Sequence, residues 1–247
     1  MSILRDDFDV RVQEINIYFT FLQKLENDVN ILSNHDQTQI LRLNDEHLKI
    51  FKANGFLLLY NLIESTVLNS VISVFDEIKF RGLGYKDVID DLKKYWFKHR
   101  YKHDDSINKE TIYKKFHLLV EEIISNVAME TIQKLEYGGS IDNQRMKEIA
   151  KSMGIDFSYP DYRKNTHGEA LVEIKKRRNN LAHGEISFAS LGKDYSYYGS
   201  VRIEEDTSET ILKLGLKHYQ QFTIEHLTKY IECIENFIDS ESFRLVT

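Results

Sequence analysis

Two stretches of this 247-residue chain place an arginine five residues ahead of a histidine: Arg42 before His47, and Arg178 before His183. A guanidinium and an imidazole at one end of a helix suit phosphodiester chemistry. Histidine is the side chain that can both remove and return a proton near neutral pH, and arginine offers a fork of donors to phosphate oxygens. Because the spacing occurs twice, it carries little weight alone, and the neighbouring residues have to separate the pairs. Asp45 and Glu46 lie between Arg42 and His47, where they would repel a phosphate. Asn179, Asn180, Leu181 and Ala182 lie between Arg178 and His183, and Lys175, Lys176 and Arg177 lead up to them. That basic approach suits neutralisation of a phosphate chain. On a helix, Asn179 and His183 fall one turn apart on one face. Arg178 lies about 140° around from His183, within the swing of its long side chain, and Gly184 stands where a glycine would stop the helix.

Other groups compete for attention. Glu64 interrupts the apolar run Leu62-Ile63 with a carboxylate, and a partly buried carboxylate needs a partner; Arg178 or His183 would supply one. Glu64 is therefore a member of the site, half of a structural ion pair or part of an exposed face. The segment from Lys93 to His103 mixes cations, among them Lys98, Arg100 and Lys102, with Tyr95, Trp96, Phe97 and Tyr101. Such mixtures grip a phosphate chain while stacking bases, but the plainer account is a solvated helix end over buried aromatics. His99 and His103 are at metal-ligand spacing without an obvious third ligand, so no metal and no cofactor is called for. Cys233, the single cysteine, sits among helix-spaced apolar residues and reads as core. There is no phosphate-binding Walker loop, dinucleotide fingerprint or Gly-x-Ser-x-Gly elbow.

The elements that must position these residues are mostly helices. One proline and 11 glycines leave few breakers. Phe8, Val12, Ile15, Phe19, Leu22, Leu25, Val29 and Leu32 form a helical stripe over residues 3–32. A second helical stretch runs from about Thr38 to Ile78, with its most apolar part from Phe51 to Phe75. Shorter helices are predicted over 87–97, 109–135 and 142–154, the last with Asp142 as N-cap. A helix over 169–183 carries the motif, and an amphipathic helix over 223–240 closes the chain. Val201 to Glu205 against Ile211 to Leu216 reads as a small β-hairpin. The expectation is one mainly α-helical domain over residues 1–247.

A net charge of -6 argues against a general nucleic-acid coat protein, but not against a nuclease with a local basic site. One cysteine allows no intrachain disulfide. Arg5, Asp6 and Asp7 fall where a signal peptide would need its apolar stretch, and no uninterrupted apolar run approaches the roughly 20 residues of a membrane span. A soluble, cytoplasmic protein is expected.

Arg178-Asn179-x-Leu181-Ala182-His183-Gly184 resembles the Arg-Asn-x-x-x-His signature of the HEPN (higher eukaryotes and prokaryotes nucleotide-binding) superfamily. It is most similar to stand-alone HEPN proteins encoded beside prokaryotic restriction, toxin–antitoxin and antiviral genes. The order of elements agrees: two long helices, the motif at a late helix end, then Ser187-Phe188-x3-Gly192-x-Asp194-Tyr195 and a final helix. Only residues 177–195 carry a specific likeness. The resemblance implies a helical bundle that pairs with a second copy, so that two motifs form a composite RNA-cleaving cleft. It implies that His183 assists attack of a ribose 2′-OH on the adjacent phosphate, that Arg178 stabilises the charged transition state and that Asn179 holds the pair. No metal is required for such a reaction, because the nucleophile is internal and the charge is met by preorganised donors. The products would end in a 2′,3′-cyclic phosphate, and the biological role would be that of a toxin or antiphage effector restrained by an antitoxin or another defence partner. Glu185 stands where HEPN toxins controlled by nucleotidyltransferases often have a tyrosine, which puts that route of control in doubt here. The alternative readings are a non-catalytic HEPN-like module that binds a nucleotide, RNA or a partner protein, and a purely structural helical bundle with Arg178 and His183 in salt links.

Overall fold

The computed structural model describes residues 3–27, 31–33, 35–38, 40–100, 109–132, 140–158, 166–203 and 210–245. In chain order the elements are α1 (Ile3–Asn27), β1 (Ile31–Ser33), β2 (Ile40–Arg42), α2 (Asp45–Phe80), α3 (Asp90–Arg100), α4 (Lys109–Ile124), α5 (Asn143–Ser152), α6 (Thr166–Ala182), α7 (Phe188–Lys193), β3 (Gly199–Ile203), β4 (Thr210–Leu214) and α8 (Leu216–Asp239), with a 3-10 turn at Tyr85–Asp87. The protein is mainly α-helical, as its scarcity of breakers predicts.

Several boundaries differ from the sequence expectation, each for a local physical reason. The first helix ends at Asn27, and the second begins at Asp45 instead of Thr38. Between them Ile31, Leu32 and Ser33 pair antiparallel with Arg42, Leu41 and Ile40. Three-residue strands are too short for periodicity to separate from a continuing helix, so non-local pairing sets their fate. The helix expected over 109–135 stops at Ile124. Asn126 takes a left-handed backbone with φ 49, and its side chain accepts from the Lys86 amide at 2.9 Å and donates to Asp87 Oδ2 at 2.8 Å. An asparagine so engaged offers the backbone an alternative to another helical turn. The hairpin near 201–216 forms as expected, with Val201 opposite Leu212; its turn, 206–209, lies outside the described residues. The last helix starts at Leu216, before the expected Thr223.

The chain packs as two compact units, one of Met1–Arg5, Ser65–Pro160 and Thr228–Thr247, the other of Asp6–Glu64 and Asp161–Leu227. In the first, Val71, Val74, Phe75 and Ile78 of α2 are fully buried with Leu92 of α3, Met146 of α5 and Ile234 of α8. Phe75 stacks on Tyr95 with centroids 5.9 Å apart. In the second, the core comprises Ile15, Phe19 and Leu22 of α1, Ala53, Phe56, Leu59 and Ile63 of α2, Leu171 and Ile174 of α6, and Leu216 and Leu227 of α8.

By length and composition α2 is apolar enough to cross a bilayer. Its residues Phe56, Leu59, Ile63, Val67, Val71, Val74 and Ile78 are nonetheless 0% exposed within the protein, the burial of a central core helix. Glycine matters where α7 meets α2: a Cβ on Gly192 would lie 1.8 Å from the Lys49 carbonyl oxygen. Only a residue without a side chain lets the two backbones approach so closely.

Gly192→Ala is therefore expected to force α7 away from α2 and to lower stability by about 1–3 kcal/mol, the usual cost of overpacking. Chemical denaturation measures it, with the exposed Val172→Ala as control. An unchanged midpoint for the glycine variant would contradict the close contact.

Candidate functional site

Residues 169–182 hold glutamate, alanine, leucine, lysine and arginine in numbers that favour a helix. Ala170, Ile174 and Leu181 recur on one side of α6 and are buried, which fixes its rotation. The helix ends as its sequence predicts. Gly184 has φ +70; its amide donates to the Leu181 carbonyl at 3.2 Å, and the Glu185 amide donates to Asn180 at 2.9 Å. These are the paired bonds of a Schellman cap. The chain then enters α7, where Ser187 Oγ accepts from the Ser190 amide at 3.1 Å. This termination leaves His183 in the turn directly after α6, exposed to solvent, with no side-chain hydrogen bond or ion pair to any described residue.

Arg178 turns toward α2 instead. Its guanidinium carbon lies 4.5 Å from the centroid of the Tyr60 ring. Its Nη1 donates to Asn179 Oδ1 at 3.1 Å, and its Nη2 is 3.9 Å from Glu64 Oε1. Tyr60 and Glu64 are four residues apart on α2 and so occupy one face. The contacts differ in strength. The Arg178 and Glu64 side chains are 33% and 44% exposed, and a long, solvated ion pair contributes about 0–1 kcal/mol. Tyr60 is only 2% exposed, and a cation over a desolvated ring gains about 1–2 kcal/mol. The aromatic face, more than the carboxylate, anchors Arg178.

The adjacent arginine is used differently. Arg177 Nε donates to Glu173 Oε1 at 2.6 Å, and its guanidinium lies 5.7 Å from the Tyr195 centroid. Tyr195 donates its hydroxyl to the same Glu173 oxygen at 2.9 Å. Its ring meets Phe56 edge-on at 4.8 Å and Tyr219 at 5.9 Å. Arg177 thus belongs to a packed network that ties α6 to the segment after α7 and to the start of α8. Burial, reinforced by the Glu173 carboxylate, holds the Tyr195 hydroxyl well above the ordinary tyrosine range and pushes Tyr219 up to about 12.

Of the residues singled out from sequence, Arg178, Asn179 and Glu64 come together, and His183 follows at the end of the same helix. Lys175 is half-buried and Lys176 exposed on α6. Lys98 is exposed on α3, in the other unit; Arg100 is the last residue of α3, with a side chain outside the described set, as is the whole of Lys102. In that basic-aromatic segment Tyr95 and Trp96 are each 4% exposed and so are core residues, whereas Phe97 is exposed. His99 stacks on Tyr95 at 4.3 Å. Arg42 and His47 form no pair: Arg42 is in β2, and His47 Nδ1 lies 2.6 Å from Asn44 Oδ1 at the start of α2. Among the described residues no group of three or more His, Cys, Asp or Glu side chains is arranged to hold a metal ion. The residue that sequence reading missed is Tyr60. Its signal was its position one helical turn before Glu64, which a helical wheel shows, but its partner on α6 is a matter of tertiary packing.

Compared with known proteins, the family model described as HEPN_MAE_28990-like HEPN matches residues 1–243. Neither the search of curated proteins nor that of solved structures returns a match.

The buried tyrosines give a pH dependence with a definite sign. Their folded-state pKa values lie above the unfolded value of about 10, so their contribution is complete below that pH and is lost as pH rises toward the folded values. Stability is expected to fall from about pH 10 upward. Tyr195→Phe should be less stable at neutral pH, having lost its bond to Glu173, but should show a shallower alkaline decline. Denaturation midpoints across this range measure both effects, and parallel curves for the two proteins would refute the assignment.

Proposed function

The chain belongs to the HEPN_MAE_28990-like HEPN family, and on that premise we propose that it is a metal-independent endoribonuclease. HEPN modules are commonly ribonucleases. The observation that carries the reading for this chain is that one helix end bears both an arginine anchored over Tyr60 and one-third exposed and, five residues on, a solvent-facing histidine.

In this reading an RNA phosphate approaches the outer edge of the Arg178 guanidinium, and its non-bridging oxygens accept hydrogen bonds from Arg178. Glu64, 3.9 Å away and half-exposed, makes only a long, solvated ion pair and gives way. His183 removes the proton of the adjacent ribose 2′-OH, which attacks phosphorus. The bond from phosphorus to the 5′-oxygen breaks, that oxygen is protonated, and a 2′,3′-cyclic phosphate remains. Arg178 meets the negative charge that grows on the phosphoryl oxygens. The nucleophile and the phosphate are already joined, which supplies the proximity that a separate water would lack. Asn179 accepts one guanidinium N–H at 3.1 Å, and Lys175 and Lys176 extend the positive approach. A second copy of the chain would provide a second His183 for the leaving oxygen and complete a composite cleft. The same reading makes the protein a cytoplasmic toxin or abortive-infection effector restrained by a partner protein. A second reading, a binding module that does not cleave, is favoured by one feature: the Arg178–Glu64 ion pair already neutralises part of the site.

Because His183 is exposed, His183→Ala should leave the fold intact and lower RNA cleavage by about 10²- to 10⁴-fold, the range for a lost acid–base group. Arg178→Ala should lose about 10²- to 10³-fold. Cleavage of purified RNA, with end-group analysis for the cyclic phosphate, measures both, and EDTA should leave the wild-type rate unchanged. Equal cleavage by wild type and His183→Ala would remove the assignment, and loss of activity in EDTA would point to a metal nuclease instead.

A further inference from the structure

An arginine that must greet a phosphate faces a conflict. It has four flexible side-chain torsions and needs restraint, yet the usual restraint, a carboxylate, takes up the N–H donors and the charge that the phosphate requires. Around Arg178 the polar contacts are weak restraints. Asn179, its own chain neighbour, accepts a single N–H at 3.1 Å, while Glu64 is 3.9 Å away and 44% exposed. The fixed surface beneath the guanidinium is the ring of Tyr60, 2% exposed and 4.5 Å from ring centroid to guanidinium carbon. An aromatic face attracts a cation through its quadrupole and consumes none of the five guanidinium N–H donors.

We propose that Tyr60 is a positioning residue for the phosphate site: its ring face holds the Arg178 guanidinium in place by a cation–π contact while leaving its N–H edges free to take a phosphate. The inference rests on the ribonuclease reading but concerns a residue that does not touch the substrate. Its burial keeps Tyr60 from RNA, so its whole effect passes through Arg178. The ring, not the hydroxyl, is the working part. Phenylalanine therefore substitutes for it, and an aliphatic side chain of similar bulk does not.

The experiment compares wild type with Tyr60→Phe and Tyr60→Met, using RNA cleavage kinetics and the Arg178 side-chain N–H resonance by NMR. Methionine fills irregular space without a π face. Tyr60→Phe is expected to keep kcat within about twofold, and Tyr60→Met to lower kcat roughly tenfold, in line with loss of a desolvated cation–π contact, with a smaller change in KM. The Arg178 resonance should feel the ring current in wild type and Tyr60→Phe and lose it in Tyr60→Met. A series of fluorinated phenylalanines at position 60 keeps the shape while withdrawing electron density from the ring, and guards against a methionine variant that fails to fold. Along that series kcat, and binding of a non-cleavable 2′-deoxy oligonucleotide, should fall steadily. Wild-type kcat in Tyr60→Met, or a flat response to fluorination, would overturn the proposal. If the wild type cleaves no RNA, the ribonuclease reading fails, while the resonance and the oligonucleotide binding still judge the role of Tyr60.

Discussion

The Arg178 guanidinium rests on the face of Tyr60, and that contact joins α2, a helix whose core-facing residues are fully buried, to the helix that bears the motif. α2 can supply a rigid platform since its apolar residues are shielded along most of its length. A cation laid on that platform keeps its charge. Had the same position on α2 been a buried carboxylate, the arginine would be neutralised, and the site would lose its attraction for an anion. The carboxylate that is present, Glu64, stands one turn further along, remains half-exposed and lies 3.9 Å from the guanidinium.

Arg177 and Arg178 show how one residue of helical offset changes a role. The two side chains leave α6 about 100° apart. Arg177 meets Glu173 and Tyr195 and becomes part of the packing around Phe56 and Tyr219. Arg178 meets a ring and keeps donors available. The basic run from Lys175 to Arg178 is therefore not one uniform phosphate-binding strip, since its Arg177 is committed to holding α6 against its neighbours. Consecutive arginines meet different partners by direction alone.

Termination of α6 matters as much as its rotation. The cap at Gly184 releases the chain into a turn with His183 exposed at the helix end, and the chain passes at once to α7, whose Gly192 meets the backbone of Lys49 at the start of α2. That close approach returns the segment after the motif to α2, the helix that carries Tyr60 and Glu64.

The sequence by itself determined the mainly helical class and the end of the motif helix, and it set Arg178, Asn179 and His183 within two turns of one another along the chain, because breakers, capping glycines and helical spacing act over a few residues. It also marked Glu64 as a carboxylate in need of a partner. It did not separate the short strand Ile31–Ser33 from the end of a helix, nor place the stop at Asn126, because the partners Ile40–Arg42 and Lys86 with Asp87 that decide them lie elsewhere in the chain. Nor did it show that Arg177 is committed to packing, or that Tyr60 lies beneath Arg178. Those depend on which faces of α2 and α6 meet, and such contacts between distant segments exist only once the core has packed.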